Sequence, residues 1–312
     1  MESSSDPPRV PMIDLSLFDM GDPWREQVAA QIDSASSQFG FFYIVGHDID
    51  TSVVGPLMEA GRRFFTASQA GQARAQGVHT GSYPVGNELS AEQADVNEGL
   101  YFETRRAQDV EGENADTSVH GQILLPDIPG FREPMLDYVF SVTGLAHKLM
   151  AMIARGLRLQ DSYFVDRYTG SPTTSFRILH YPQIADASTD IEQCGSGAHS
   201  DRGLLTLLKQ DGIGGLELKY QDRWIDVPDI PHAFVCQVGE ILERLTNGRY
   251  ISAAHRVRNS RQGHRVAMPF CFRPSIDTVF EPIAGVGPAA ASPGITGAVG
   301  NESQLEAHRK LA

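Results

Sequence analysis

The sequence predicts an α+β fold in which a helical first half leads into a β sandwich or barrel. Three observations carry that expectation. Phe131, Met135, Val139, Val142, Leu145, Leu149, Ile153 and Leu157 recur every three or four residues, which is one apolar stripe along a long helix. After Tyr168-Thr-Gly-Ser-Pro172 the pattern changes, and short apolar runs alternate with turn signals at intervals of roughly ten residues. With 312 residues, 41% apolar and 21% charged, the chain has ordinary globular composition and is long enough to bury a large core.

Taken in order, Val10-Pro-Met-Ile13 reads as a short strand. Asp22-Pro23 is a helix start, with a capping acceptor followed by proline at the first helical position. Trp24, Val28, Ile32, Ala35 and Phe39 then keep helical spacing until Gly40 closes the helix. Phe41-Phe-Tyr-Ile-Val45 follows as a buried strand, and a second helix is expected over Ser52 to Phe65. Residues 66–126 are polar and carry no clear period. The long scaffold helix follows, with a possible break at Gly144. Seven strands are then expected: Ser175–Tyr181, Leu204–Leu208, Leu216–Tyr220, Trp224–Val227, Ala233–Val238, Tyr250–Val257 and Arg265–Phe272. Gly212-Ile-Gly-Gly215 reads as a hairpin turn, since it lacks the lysine of a phosphate loop. The chain thus divides into an N-terminal region (1–170), a β core (171–283) and a flexible tail with a short helix (284–312).

A net charge of −13 with no block of five Lys or Arg argues against a nucleic-acid partner. No run approaches about 18 apolar residues, so no membrane partner is expected. The N-terminus has no basic stretch followed by an apolar one, so it does not read as a signal peptide. Cys194, Cys236 and Cys271 form no CxxC pair and read as reduced thiols of a cytoplasmic protein. The expected partner is a small-molecule substrate, and the expected state a monomer or weak homo-oligomer.

The chemistry centres on Ala198-His199-Ser200-Asp201, which runs directly into an apolar strand. In extended backbone, residues i and i+2 face one side, so His199 and Asp201 can converge on one metal. His255 lies in a second strand-like run and can supply a third ligand. Two imidazoles and one carboxylate on one face of an octahedron leave open positions, the arrangement of non-haem Fe(II) oxygenases. Taken singly, each histidine reads equally well as a hydrogen-bonded structural residue. Arg265-Val-Ala267 opens a strand, and an arginine pointing into a barrel is costly unless it meets an anion. A planar guanidinium suits a carboxylate through two parallel hydrogen bonds, although a structural ion pair is the plain alternative. By strand parity Ser175, Arg177, Leu179 and Tyr181 share a face, so Arg177 can look inward or sit at an edge.

These stretches, together with Phe39-Gly-Phe-Phe-Tyr-Ile-Val-Gly-His47, Asn97-Glu98-Gly99, Phe176-Arg-Ile-Leu-His-Tyr-Pro182, Trp224-Ile-Asp-Val-Pro228, Thr246-Asn-Gly-Arg-Tyr250 and His255-Arg-Val257, resemble the isopenicillin N synthase-like family of Fe(II)/2-oxoglutarate oxygenases. The resemblance spans residues 10–283 and implies a double-stranded β-helix (jelly-roll) core with an N-terminal helical region and flanking helices. It implies Fe(II) held by His199, Asp201 and His255, with 2-oxoglutarate and O2 as co-substrates. Arg265 would anchor the far carboxylate of 2-oxoglutarate, with Tyr181 assisting and Arg177 and Ala267 grouped with them as co-substrate-binding positions. The family's Arg-x-Ser motif has Ala267 in place of the serine, and one lost hydrogen bond of roughly 1 kcal/mol weakens binding up to about ten-fold. The implied activity is oxidation of an unactivated C–H bond (hydroxylation, desaturation or cyclisation) with release of succinate and CO2. The implied substrate is a natural-product or amino-acid-derived intermediate of secondary metabolism. Candidate pocket residues are Tyr83, Glu98, Tyr101, Phe102, Phe270, Phe272 and Arg273. Two alternatives stay open: an oxidase of the same fold that uses no 2-oxo acid, and a non-catalytic metal-binding or sensing barrel.

Overall fold

The computed structural model describes residues 9–66, 81–83, 89–90, 93–105, 115–116, 122–124, 130–183, 194–260, 263–275, 278–287 and 297–298. The helix expected in the tail lies outside them. Strand β1 (Met12–Asp14) and a 3-10 turn lead into α1 (Asp22–Gln38), followed by β2 (Phe41–Val45) and α2 (Thr51–Thr66). Short strands β3 (Gly81–Tyr83), β4 (Leu89–Ser90) and β5 (Gln93–Ala94) precede the longer β6 (Glu98–Arg105), then β7 (Ala115–Asp116) and β8 (Gln122–Leu124). Helix α3 (Arg132–Gly156) is followed by a π turn at Val165–Thr169. The second half holds β9 (Thr173–Tyr181), β10 (Cys194–His199), β11 (Leu205–Lys209), β12 (Leu216–Tyr220), β13 (Arg223–Asp226), β14 (Phe234–Val238), α4 (Glu240–Leu245), β15 (His255–Arg258) and β16 (Arg265–Arg273). A terminal pair, β17 (Val279–Phe280) and β18 (Gly297–Ala298), completes the order.

One ten-stranded sheet runs β1-β2-β14-β11-β16-β9-β6-β8-β7, with β3 on β6, and a four-stranded sheet runs β10-β15-β12-β13. From β9 onward the chain alternates between them: β9, β11, β14 and β16 join the large sheet, while β10, β12, β13 and β15 join the small one. That alternation is the winding of a double-stranded β-helix. The large sheet also takes β1, β2 and β6 from the first half, so it crosses residue 170.

The central strands of the large sheet, β2, β14, β11, β16 and β9, are buried on both faces, and side-chain parity decides which face each residue serves. Phe42, Ile44, Leu100, Phe102, Phe176, Ile178, Phe234, Met268, Phe270 and Phe272 pack with α1, α2 and α3 in one core. Phe41, Tyr43, Tyr181, Val235 and Ala267 point the other way and join Leu216, Leu218, Ile225 and Val257 of the small sheet in a second core, the barrel interior. Helix α3 lies over the first core because its stripe, Met135 to Ile153, is almost wholly buried. Arg249 and the Tyr250 hydroxyl both bind Asp33, tying the loop before β15 to α1.

Several local expectations change. The helix cap is Gly21, and Asp22 instead sits in the first turn and pairs with Arg155 at 3.1 Å. Trp24, expected on the buried stripe of α1, is 39% exposed. Helix α3 passes unbroken through Gly144, since a side chain there would meet open space and nothing forces a kink. The glycine segment 212–215 is no hairpin: it carries the chain from β11 in the large sheet to β12 in the small one, with positive φ at Gly212, Gly214 and Gly215. Residues 250–254 are not strand, so the run expected from Tyr250 begins at His255.

Phe176 is 2% exposed and stacks on Phe102 at 5.8 Å and against Tyr138 at 5.0 Å. Phe176→Ala is expected to cost about 3–5 kcal/mol in urea unfolding. A loss under about 1 kcal/mol would show that the sheet–helix core is not the main source of stability.

Candidate metal centre

His199 is the last residue of β10, and its direct cross-strand partner in β15 is His255. Pairing of opposed positions brings side chains together irrespective of separation along the chain, and the two imidazole centroids lie 4.3 Å apart. Asp201 follows in the loop that crosses from β10 to β11, not in a strand as the spacing suggested. One donor atom from each of His199, Asp201 and His255 lies within 4.8 Å of the others. His255 Nε2 is 3.9 Å from Asp201 Oδ1.

Backbone carbonyls set the imidazole tautomers. His199 Nδ1 donates to the Gly197 carbonyl at 2.7 Å, and His255 Nδ1 to the Ala253 carbonyl at 3.3 Å. A neutral ring that donates through Nδ1 carries its lone pair on Nε2, so both histidines present that nitrogen to the third group. The Asp201 loop is held by the start of α4. Glu240 N–H donates to the Asp201 carbonyl at 2.7 Å, and the Glu240 carboxylate accepts the Ser200 hydroxyl at 2.6 Å. Gly239 N–H donates to Leu204 O, and a Cβ at Gly239 would collide with the Gly203 carbonyl, so only glycine permits this approach.

Burial moves the charges. Loss of solvent pushes the His255 imidazole down to about 4, against the opposing pull of Asp201, so the ring is neutral. Burial alone would raise the Asp201 carboxyl, but His255, His199, the Thr206 hydroxyl and Arg177 together hold it below the usual carboxylate range. Asp201 Oδ2 is buried with no hydrogen-bond partner. An ionised, orphaned carboxylate oxygen beside two imidazole lone pairs is a donor set that fits a divalent first-row metal.

Arg265 opens β16 opposite Tyr181 of β9 and is 1% exposed. Its Nη2 donates to Gln210 Oε1 at 3.2 Å, and its guanidinium carbon lies 4.7 Å from the Tyr181 ring centroid. Nε and Nη1 are buried with no partner. Ala267 lies two residues on, with the same parity, and belongs to the barrel-interior core. Tyr181 therefore supports the guanidinium with its ring face.

Arg177, a candidate for the co-substrate, and Tyr101, a candidate pocket residue, come together: they oppose each other across β9 and β6, and the guanidinium carbon sits 5.0 Å from the ring centroid. Arg177 also acts electrostatically on Asp201, which places it on the metal side. Arg273 has the parity of Arg265, and its Cγ would lie 3.5 Å from a Cβ at Gly203. Phe102, Phe270 and Phe272 are not brought to the site, because they have the opposite parity and lie in the helix-facing core. Glu98 is on that side too: its carboxylate bonds His180 Nδ1 at 2.8 Å, and His180 Nε2 meets His264 Nδ1 at 3.1 Å. Tyr83 lies in β3 opposite Gly99. Gln210 and Glu240 are site-supporting residues that sequence reasoning missed. Gln210 alone had a signal, since it continues the parity of Thr206 and Leu208.

Comparison with known proteins agrees with this geometry. Residues 172–274 match the family model described as the 2OG-Fe(II) oxygenase superfamily, and residues 10–127 match the non-haem dioxygenase N-terminal model named for morphine synthesis. The chain is 35% identical over 309 residues to the probable iron/ascorbate oxidoreductase of Dictyostelium discoideum, covering 89% of this chain and 85% of that one. It is 29% identical to a homoarginine-6-hydroxylase of Glycine max, covering 84% and 82%. The crystal structure of a full-length Neurospora crassa protein in complex with alpha-KG shares the fold, with a TM-score of 0.79 at 22% identity over 97% of this chain and 95% of that one.

The lowered His255 value has a consequence for the metal-free chain. The unfolded chain takes up this proton below about 6.5 while the folded one resists it down to about 4. Stability from His255 is therefore complete above the unfolded value and is lost as pH falls through that window. Between pH 7.5 and 5, urea unfolding of the chelator-treated His255→Gln variant should lose about 2 kcal/mol less than the unaltered chain. Equal losses would mean that the ring is solvated.

Proposed function

Because this chain belongs to the 2OG-Fe(II) oxygenase superfamily, we propose that His199, Asp201 and His255 are the ligands of its iron and that Arg265 grips the far carboxylate of 2-oxoglutarate. The chain is a non-haem iron dioxygenase, an enzyme that uses Fe(II), 2-oxoglutarate and O2. The observation that carries the co-substrate assignment is the buried Arg265 guanidinium, which has two unpartnered nitrogens on the barrel-interior face of β16. A buried cation left in that state is unfavourable unless an anion completes it.

With iron bound at the triad, the chemistry supplied is O2 activation coupled to oxidative decarboxylation of 2-oxoglutarate to succinate and CO2. The protein's part is binding, orientation and exclusion of water. His199 and His255 present Nε2 because their Nδ1–H groups are committed to backbone carbonyls. Asp201 is ionised at neutral pH and supplies the one negative ligand. Arg265 keeps Nε–H and Nη1–H available to an anion, on different edges of the guanidinium, while Nη2 donates to Gln210. Leu208, Leu216, Leu218 and Val235 line the same interior and keep that pairing dry, which strengthens it.

The reaction proposed is oxidation of a C–H bond in a small organic molecule. Arg177, stacked on Tyr101 on the metal side, supports a substrate that carries a carboxylate, as an amino-acid-derived or natural-product intermediate would. Tyr83 and Arg273 stay in the proposed pocket; Phe102, Phe270, Phe272 and Glu98 leave it. No helix among the described residues is long and apolar enough to cross a membrane. Cys236 is a buried free thiol, which suits a reducing cytoplasm where a ferrous site persists.

Succinate formation from 2-oxoglutarate, measured against a panel of carboxylate-bearing substrates, is expected to depend on His199, Asp201 and His255. Arg265→Ala should raise the KM for 2-oxoglutarate at least ten-fold with a smaller effect on kcat. Ala267→Ser should lower that KM by up to about ten-fold, since it adds a hydroxyl donor on the face that carries Arg265. An unchanged KM in both variants would remove the co-substrate from this end of the barrel.

A further inference from the structure

The strand that carries His199 is poorly fixed by its own ladder. Among the described residues β10 is an edge strand, paired on one side, and its register with β15 shifts between Cys194 and Ser196 and again between Ser196 and His199. Two irregularities within six residues leave the end of the strand without the regular hydrogen bonds that place a side chain.

Residues 95–97 of the N-terminal region take over that task. The Asp95 carboxylate is 3% exposed; Oδ1 accepts the Gly197 N–H at 3.0 Å and Oδ2 accepts the Ser196 hydroxyl at 3.2 Å. Asn97 Nδ2 donates to the Gly195 carbonyl at 2.6 Å, and Asn259 Nδ2 donates to the Val96 carbonyl at 3.0 Å. Gly197 is thus held at both ends: its N–H by Asp95, and its carbonyl by the Nδ1–H of His199 at 2.7 Å.

We propose that Asp95 is a positioning residue for the iron ligand His199, acting through the Gly197 backbone. The proposal rests on the reading of His199 as a ligand. A carboxylate on the Gly197 N–H fixes the glycine, the glycine carbonyl fixes the plane and tautomer of the ring, and Nε2 then points at the metal. The direct partner of a metal-bound imidazole orients the ring; here that partner is the Gly197 carbonyl, and Asp95 holds it from one hydrogen bond further out. The N-terminal region therefore contributes to the metal centre although none of the three ligands comes from it.

The test is anaerobic titration of the full-length chain with cobalt(II) alone, reading affinity and the visible d–d spectrum, alongside thermal melting. Asp95→Ala is expected to weaken cobalt binding about ten- to hundred-fold and to change the spectrum. Asp95→Asn should recover most of the affinity, because an amide oxygen still accepts the Gly197 N–H. Asn97→Ala, which loosens β10 at Gly195 without touching Gly197, should lower the melting temperature but leave cobalt affinity essentially unchanged. Should Asp95→Ala not fold, Ser196→Ala carries the test: it frees one carboxylate oxygen and should weaken binding about three-fold. Unchanged affinity in a folded Asp95→Ala or in Ser196→Ala, or an equal loss in Asn97→Ala, overturns the proposal. Failure of the unaltered chain to bind cobalt overturns the ligand assignment itself.

Discussion

The structure depends on charged groups held in an apolar barrel without their full complement of partners. Asp201 keeps an orphaned oxygen at one place in that interior, and Arg265 keeps two orphaned nitrogens at another. Each would be costly in a finished protein core. They persist because the surrounding fold over-determines them: α4 clamps the Asp201 loop, and Gln210 and Tyr181 hold the guanidinium. In the proposed reading a metal completes the first and the dicarboxylate co-substrate the second.

Central strands buried on both faces make this possible. Alternate side chains of β2, β9, β14 and β16 serve two cores, one against the helices and one inside the barrel. The helix-facing core is aromatic and continuous, with Phe102, Phe176 and Tyr138 stacked in succession. It supplies the rigidity that lets the inner face carry Arg177, Arg265 and Ala267 in place of bulky apolar residues. The N-terminal region takes part as well, since β2 and β6 extend the large sheet and residues 95–97 brace the strand of His199.

The site's chemistry was more legible than its walls. His199, Asp201 and His255 could be picked out because two imidazoles and a carboxylate in strand-like contexts match one coordination pattern, and Arg265 because a strand arginine followed by apolar residues needs an anion. The aromatic wall residues failed for a specific reason. Phe102, Phe270 and Phe272 lie close to site residues along the chain, but a period of two sends them to the opposite face. Parity would have excluded Phe270 and Phe272 once Arg265 was taken as inward, as it correctly grouped Arg177 with Tyr181. β6 and Asp95 lie in a polar stretch with no period to read, and β10 is too rich in glycine and too irregular to register as a strand.

The sequence by itself determined the composition of the two halves, the helical stripe of α3, the strand spacing of the barrel and the side chains that cluster at the candidate metal centre. These are local properties, set by periodicity and by functional groups that no neighbour can change. Tertiary structure alone decided that His199 faces His255 across a strand pair, that β11 and β12 belong to different sheets, and that a carboxylate from residue 95 braces a strand that begins at residue 194. Those facts depend on which distant backbone edges meet, and hydrogen-bond pairing between edges leaves no mark in the residues between them.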